Sequence, residues 1–173
     1  MSREVYFSDK VNSKSISQIR EKIDSLYEKN KTQEIVLYIS SGGGSGVAAI
    51  SFFEWIRIKK IPLVTVAVAE VSSAAITLFL AGTLRKATTK SWFLIHPGGT
   101  IRGDLTLMLG KIISLRRSKE DEVWKEHYES IVINLIKERT NIPADLAKRI
   151  MTKSFLLLNP LEGKKLGLVH EII

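Results

Sequence analysis

The stretch from Ile61 to Leu84 constrains the fold more than any other segment, because it is apolar over almost its whole length. Its pattern predicts a buried strand over Leu63–Val68, a turn that carries Glu70, Ser72 and Ser73, and an apolar helix that ends at Gly82. A serine on such a turn lies beside the unpaired N–H groups and the positive end of the helix dipole. Nucleophilic catalysis requires this environment, although a serine before a helix is more often only an N-cap.

A stretch of about 24 mostly apolar residues is long enough to cross a bilayer. Pro62 near its start, Glu70 in its middle and the two serines favour a core strand and helix instead. The amino terminus shows no apolar signal region, and the chain has no cysteine, which excludes disulfides and thiol catalysis. We therefore expect a cytoplasmic protein, with residues 1–173 forming a single domain.

The net charge of +8 raises the possibility of a nucleic-acid partner. The basic residues are scattered, however, and acidic residues at 120–122 directly follow the densest cluster, Arg116, Arg117 and Lys119. No recognised nucleic-acid motif is present. The charge indicates a solvated basic surface, and we expect no nucleic acid, membrane, metal or cofactor.

Strands and helices alternate along the chain, which predicts an α/β fold with a parallel sheet and right-handed crossovers. Ser15 is predicted to open the first helix through a capping box with Gln18. Further strands are predicted at Glu4–Phe7, Glu34–Ile39, Leu84–Ala87, Trp92–Ile95, Leu156–Leu158 and Leu168–Ile172, and further helices at Val47–Lys59, 143–150 and Leu161–Leu166.

The segment Leu105–Arg139 is strongly helical and far longer than an average helix, with a break predicted near Ser118. Its second half carries apolar residues on one face: Trp124, Tyr128, Ile131 and Leu135. A long helix that projects from a domain must bury such a face, most simply on another subunit. This pattern predicts a homo-oligomer.

A glycine-rich loop, Ser40–Gly46, follows the strand Glu34–Ile39. It lacks both the GK[ST] ending of a phosphate-binding loop and the spacing of a dinucleotide site. Two interpretations remain: a flexible connection, or an oxyanion hole in which bare backbone N–H groups approach a substrate carbonyl. His96 is the one histidine of three that ends a predicted strand beside a glycine loop. Strand ends are where open α/β sheets place their sites.

Four ordered segments carry a family resemblance: Ile39–Ser45, Ser73–Ala75 followed by Gly82, Leu94–Gly99 and Gly167–Val169. Together they resemble the proteolytic subunit of the Clp protease, a family of serine peptidases. The resemblance implies a crotonase-like α/β fold of repeated β-β-α units, with a parallel sheet and a long projecting handle helix at about 105–139.

The same resemblance implies a role for each matching residue. Ser73 would be the nucleophile and His96 the general base. The N–H groups of Gly44 and Ala74 would form the oxyanion hole. The backbone that pairs with substrate would include Gly43, Gly98 and Gly99.

The third triad position departs from the family pattern, because it is occupied by Phe155 instead of an acid, and a shift of one residue gives Ser154. Three hypotheses follow: a serine endopeptidase in which another group orients His96 or in which serine and histidine work alone, an inactive scaffold subunit, and a crotonase-like acyl-CoA enzyme. The third is ranked last, because Glu70 is the only carboxylate close to the motif. The chain begins almost at its first core strand, so we expect no dependence on an ATPase unfoldase.

Overall fold

A computed structural model describes residues 3–97 and 119–173, with only the helical backbone described at 119–122. In chain order the elements are β1 (Glu4–Phe7), α1 (Ser13–Lys29), β2 (Ile35–Ser41), α2 (Gly46–Lys59), β3 (Leu63–Ser72), α3 (Ala74–Leu80), β4 (Leu84–Ala87), β5 (Trp92–Ile95), α4 (Lys119–Arg139), α5 (Ala144–Lys153), β6 (Leu156–Leu158), α6 (Pro160–Lys165) and β7 (Glu171–Ile172).

The sheet is organised around the long strand β3, which pairs with different neighbours along its length. The main path runs β1-β2-β3-β4-β7, and all of these pairings are parallel. The first half of β3 pairs with β4 and its last three residues pair with β5, which in turn pairs antiparallel with β6. The predicted turn at Glu70–Ser72 was therefore wrong, because these residues form the parallel ladder with β5.

Two other predicted boundaries also moved. The N-cap of α1 is Asn12, and Ser15 is the third helical residue that completes the capping box with it. The last strand is shorter than predicted, because the N–H groups of Leu168 and Val169 donate to the carbonyl of Gly163 in α6 instead of to a strand.

Helix α1 packs against α2, α2 packs against α3, and α3 also contacts α4. All seven residues of α3 are buried, so the predicted apolar segment is a core strand followed by a core helix. In the described part of the chain, no helix is both long and apolar enough to span a membrane.

The carboxyl end of α3 is held by two arginines. Arg139 donates to the carbonyls of Leu80 and Gly82, at 3.2 and 2.8 Å. Arg85 is 3% exposed, and burial followed by the charge of Arg139 lowers its pKa to about 10. Its guanidinium donates to four main-chain carbonyls, those of Leu168, Gly82, Arg139 and Gly167. One cation therefore joins β4, the ends of α3 and α4, and the loop before β7.

His170 completes this cluster. The main-chain N–H of Arg85 donates to His170 Nδ1 at 3.1 Å, and Arg85 Nη2 lies 2.8 Å from His170 Nε2. Burial, and then the charges of Arg85 and Arg139, lower the pKa of His170 below its ordinary value of 6.5.

We expect His170 to make the protein sensitive to mild acid. A lowered folded-state pKa means that the unfolded chain takes up the proton first, so this stability is complete above about pH 6.5 and is lost as the pH falls through the folded pKa. Urea unfolding between about pH 8 and about pH 5 should show this loss, and His170→Gln should reduce it. Identical pH dependence in the two proteins would contradict the assignment.

Candidate active site

Ser73 lies at the junction of β3 and α3 in a backbone conformation that residues other than glycine rarely adopt, with φ 55° and ψ −128°. Its N–H donates to the carbonyl of Leu94 in β5 at 2.9 Å. It occupies the N-cap position of α3, but its side chain makes no capping hydrogen bond. The ordinary explanation for a serine at this position therefore does not apply, and its half-buried hydroxyl is available for other chemistry.

The glycine loop lies directly against this serine. Since β2 and β3 run parallel and pair as far as Ser41 and Val71, the residues that follow each strand emerge at the same edge of the sheet. A Cβ atom added at Gly43 would lie 2.7 Å from the Cβ of Ser73 and 2.9 Å from the nitrogen of Ala74. Gly43 has φ 93°, which favours glycine, and no side chain fits in this contact.

Gly44 is held by a parallel bridge to Val11. The N–H of Val11 donates to the carbonyl of Gly43 at 2.8 Å, and the N–H of Ser45 donates to the carbonyl of Val11 at 2.7 Å. In a parallel bridge the central residue, here Gly44, points its own N–H away from the partner segment. Ala74 is the first residue of α3, where helical N–H groups have no intrahelical partner. These two N–H groups are the predicted oxyanion donors.

Ser41 has a role in this loop that was not predicted from the sequence. Ser41 is 5% exposed; its hydroxyl donates to the carbonyl of Asp9 at 2.7 Å and accepts the N–H of Gly43 at 3.1 Å. This side chain fixes the path of the glycine loop beside Ser73. The sequence signal for this role was weak, because residues 40 and 41 are both serine. Only the register of the strand shows that Ser41 is the buried one.

His96 lies just beyond β5, two residues after Leu94, which pairs with Ser72. The structure therefore brings Ser73 and His96 to the same edge of adjacent strands. His96 is half-buried, and its Nδ1 lies 2.9 Å from the carbonyl oxygen of Pro97. The predicted substrate-binding residues Gly98 and Gly99 lie outside the described residues.

The strand pairing defines what lies opposite His96. β5 and β6 pair antiparallel through Phe93 with Leu158, Leu94 with Leu157, and Ile95 with Leu156. Extending this register by one residue places Phe155 opposite His96. Phe155 is 66% exposed, and among the side chains described, those of residues 3–97 and 123–173, no hydrogen bond joins His96 to a carboxylate.

Ser72 differs from Ser73 in environment despite their adjacency. Ser72 is 2% exposed, and within the described ranges its hydroxyl has no hydrogen-bond partner. Because an unpartnered buried hydroxyl is destabilising, we expect Ser72→Ala to stabilise the fold by about 1 kcal/mol. Urea unfolding monitored by tryptophan fluorescence measures this, and a loss of stability would show that the hydroxyl has a partner.

Comparisons with known proteins agree with this architecture. Residues 1–173 match the family model described as Clp protease. The ATP-dependent Clp protease proteolytic subunit of Deinococcus radiodurans is 25% identical over 177 residues, which cover 99% of this chain and 80% of that protein. Proteolytic subunit 1 of Chlamydia pneumoniae is 28% identical over 179 residues, covering 99% and 86%.

A solved ClpP1 mutant from Listeria monocytogenes has the same fold, with a TM-score of 0.80 at 22% identity, over 99% of this chain and 91% of that one. The mixed α/β architecture predicted from the sequence is thereby confirmed. From the match over its whole length and from this fold, we conclude that the chain belongs to the Clp protease family.

Proposed function

We propose that this protein is a serine endopeptidase that cleaves peptides or unfolded proteins inside a homo-oligomer. The observation that carries the proposal is the contact of Gly43 with Ser73, which leaves no room for a side chain between the glycine loop and the strained serine. Strained backbone conformations cluster at active sites, and a hydroxyl beside bare main-chain N–H groups is the arrangement that acyl transfer uses.

In the proposed reaction, the hydroxyl oxygen of Ser73 attacks the peptide carbonyl carbon while His96 accepts the hydroxyl proton. The N–H groups of Gly44 and Ala74 stabilise the oxyanion that forms. When the C–N bond breaks, His96 returns the proton to the leaving amine. Water then attacks the acyl-enzyme while His96 accepts the proton of the water, and His96 gives that proton to the oxygen of Ser73 as the acyl group leaves.

The adjacent serines provide a matched test. A fluorophosphonate probe should label the wild-type protein and Ser72→Ala but not Ser73→Ala, and mass spectrometry should locate the adduct on Ser73. Hydrolysis of a fluorogenic peptide should follow the same order. Labelling of Ser73→Ala, or of none of the three proteins, would contradict the proposal.

One observation favours the scaffold alternative, namely the exposed Phe155 at the position opposite His96. A scaffold subunit would assemble yet remain inert to both the probe and peptides. Loss of an orienting acid costs a serine hydrolase about 10⁴ in kcat without abolishing the chemistry, so slow but measurable labelling distinguishes the two functions.

The oligomer is supported by α4, although differently from the sequence expectation. Leu135 is buried and Ile131 partly buried within the chain's own core, and Tyr128 packs against Gly46. Trp124 and Val123, in contrast, are 69% and 66% exposed. We propose that these two side chains contact another copy, which native mass spectrometry of Trp124→Ser would test.

Independence from an ATPase remains a prediction, to be tested by peptide hydrolysis without nucleotide.

A further inference from the structure

We propose that the main-chain carbonyl of Pro97 replaces the missing triad acid by accepting a hydrogen bond from Nδ1–H of His96. Pro97 thereby acts as a positioning residue that selects the tautomer needed for general-base catalysis. This inference rests on the proposed peptidase function, but it makes a structural statement about His96 that can be tested without any activity measurement.

The tautomer follows from the chemistry of the contact. His96 Nδ1 lies 2.9 Å from Pro97 O, a normal hydrogen-bond distance. A carbonyl oxygen has lone pairs and no proton, so Nδ1 must be the donor. Neutral imidazole carries one N–H, and Nε2 is therefore left with a free lone pair. A general base that accepts the proton of a serine hydroxyl requires that lone pair.

The sequence His96-Pro97 restricts the backbone conformation of both residues that make this contact. The proline ring fixes φ at residue 97 and removes its N–H, and a residue before proline is restricted to extended conformations. Both residues that make the hydrogen bond are therefore limited in conformation before any tertiary contact forms. The arrangement needs nothing from β6, in agreement with the presence of Phe155 opposite His96.

A neutral carbonyl differs from a carboxylate in one respect. It orients the imidazole, but it stabilises imidazolium less than a negative charge does. The proposal therefore predicts the correct tautomer together with a modest rate. Phe155→Asp, which adds a carboxylate opposite His96, should raise kcat by about tenfold or more, with little change in KM.

The direct test is ¹⁵N NMR of the histidine-labelled full chain at about pH 8.5, roughly two units above the ordinary histidine pKa. His96 should show a protonated Nδ1 and an unprotonated Nε2. A short unstructured peptide that contains histidine, measured at the same pH, serves as the reference and should show the mixture, mainly Nε2–H, that is usual in water. A predominantly Nε2–H form of His96 would overturn the proposal.

Two variants identify the acceptor. Pro97→Gly frees φ at residue 97 and should shift His96 toward the reference mixture, with kcat lowered about tenfold and KM nearly unchanged. Asp104→Asn, which removes the carboxylate nearest in sequence to His96, should leave the tautomer as in the wild type. A changed tautomer in Asp104→Asn would assign the role to another group, and a wild-type tautomer in Pro97→Gly would contradict the claim that the proline ring positions the acceptor carbonyl.

The outcomes separate the two proposals. The Nδ1–H tautomer in a protein that no fluorophosphonate labels would retain this inference and reject the peptidase function. Labelling of Ser73 in a protein with Nε2–H at His96 would retain the function and reject the inference.

Discussion

Gly43→Ala is expected to reduce kcat/KM for peptide hydrolysis by about a hundredfold or more. The added methyl would lie 2.6 Å from the carbonyl oxygen of Ser72 and 2.7 Å from the Cβ of Ser73, distances that the backbone must move to relieve. Alanine is also disfavoured at φ 93°. We expect the strain and the overpacking together to destabilise the fold by about 2–4 kcal/mol.

Gly42→Ala is the matched control, one residue away in the same loop. The nearest atom to a methyl at Gly42 is a carboxylate oxygen of Glu70 at 3.6 Å, an ordinary contact. Its stability should stay within about 0.5 kcal/mol of the wild type, and its rate should be unchanged. Peptide hydrolysis and urea unfolding of both variants measure these effects, and equal rates would mean that the loop does not form part of the site.

Arg85→Met is expected to produce the largest loss of stability, at least about 3 kcal/mol, because several buried carbonyls lose their donor at once. Thermal unfolding should occur roughly 6–12 °C lower, given the usual sensitivity of a chain of this length. We expect this loss of stability because of where Arg85 lies. The four carbonyls to which it donates belong to separate parts of the chain, and no other described side chain joins these parts in this way.

Arg57→Met provides the comparison. Arg57 pairs with Glu54 within one turn of α2, and its side chain is 63% exposed. Such a surface pair contributes little, so the unfolding temperature of this variant should stay close to that of the wild type. Differential scanning calorimetry of Arg85→Met and Arg57→Met measures the two unfolding temperatures. Similar unfolding temperatures would show that the buried guanidinium is replaceable by an apolar side chain.

The sequence predicted the fold class and most elements because apolar periodicity reports burial directly. It also singled out Ser73, His96 and the glycine loop, which the structure places at one edge of the sheet. The end of β3 was mispredicted, because polar Glu70 and Ser72 suggested a turn. They remain in the strand through pairing with β5, a distant segment whose register no local pattern specifies.

Two further features were beyond sequence reasoning for a related reason. The contact between His96 and Pro97 depends on a side-chain rotamer, and local composition does not encode rotamers. Arg85 appears as an ordinary basic residue in a short strand, and its burial arises only when α4 and the loop before β7 close over it. Long-range contacts of this kind are invisible to propensity and pattern.

The complete enclosure of α3 has a consequence for how this protein changes over evolutionary time. Its amide protons should exchange with solvent only when the whole molecule opens, which makes the platform under Ser73 among the slowest parts to exchange. We expect few substitutions in α3 to be tolerated during evolution, because almost any replacement there disturbs the packing of the interior. Under the peptidase function proposed above, new substrate specificities are therefore expected to arise along β5 and at the start of β6, where Trp92, Phe155 and Leu157 are exposed to solvent.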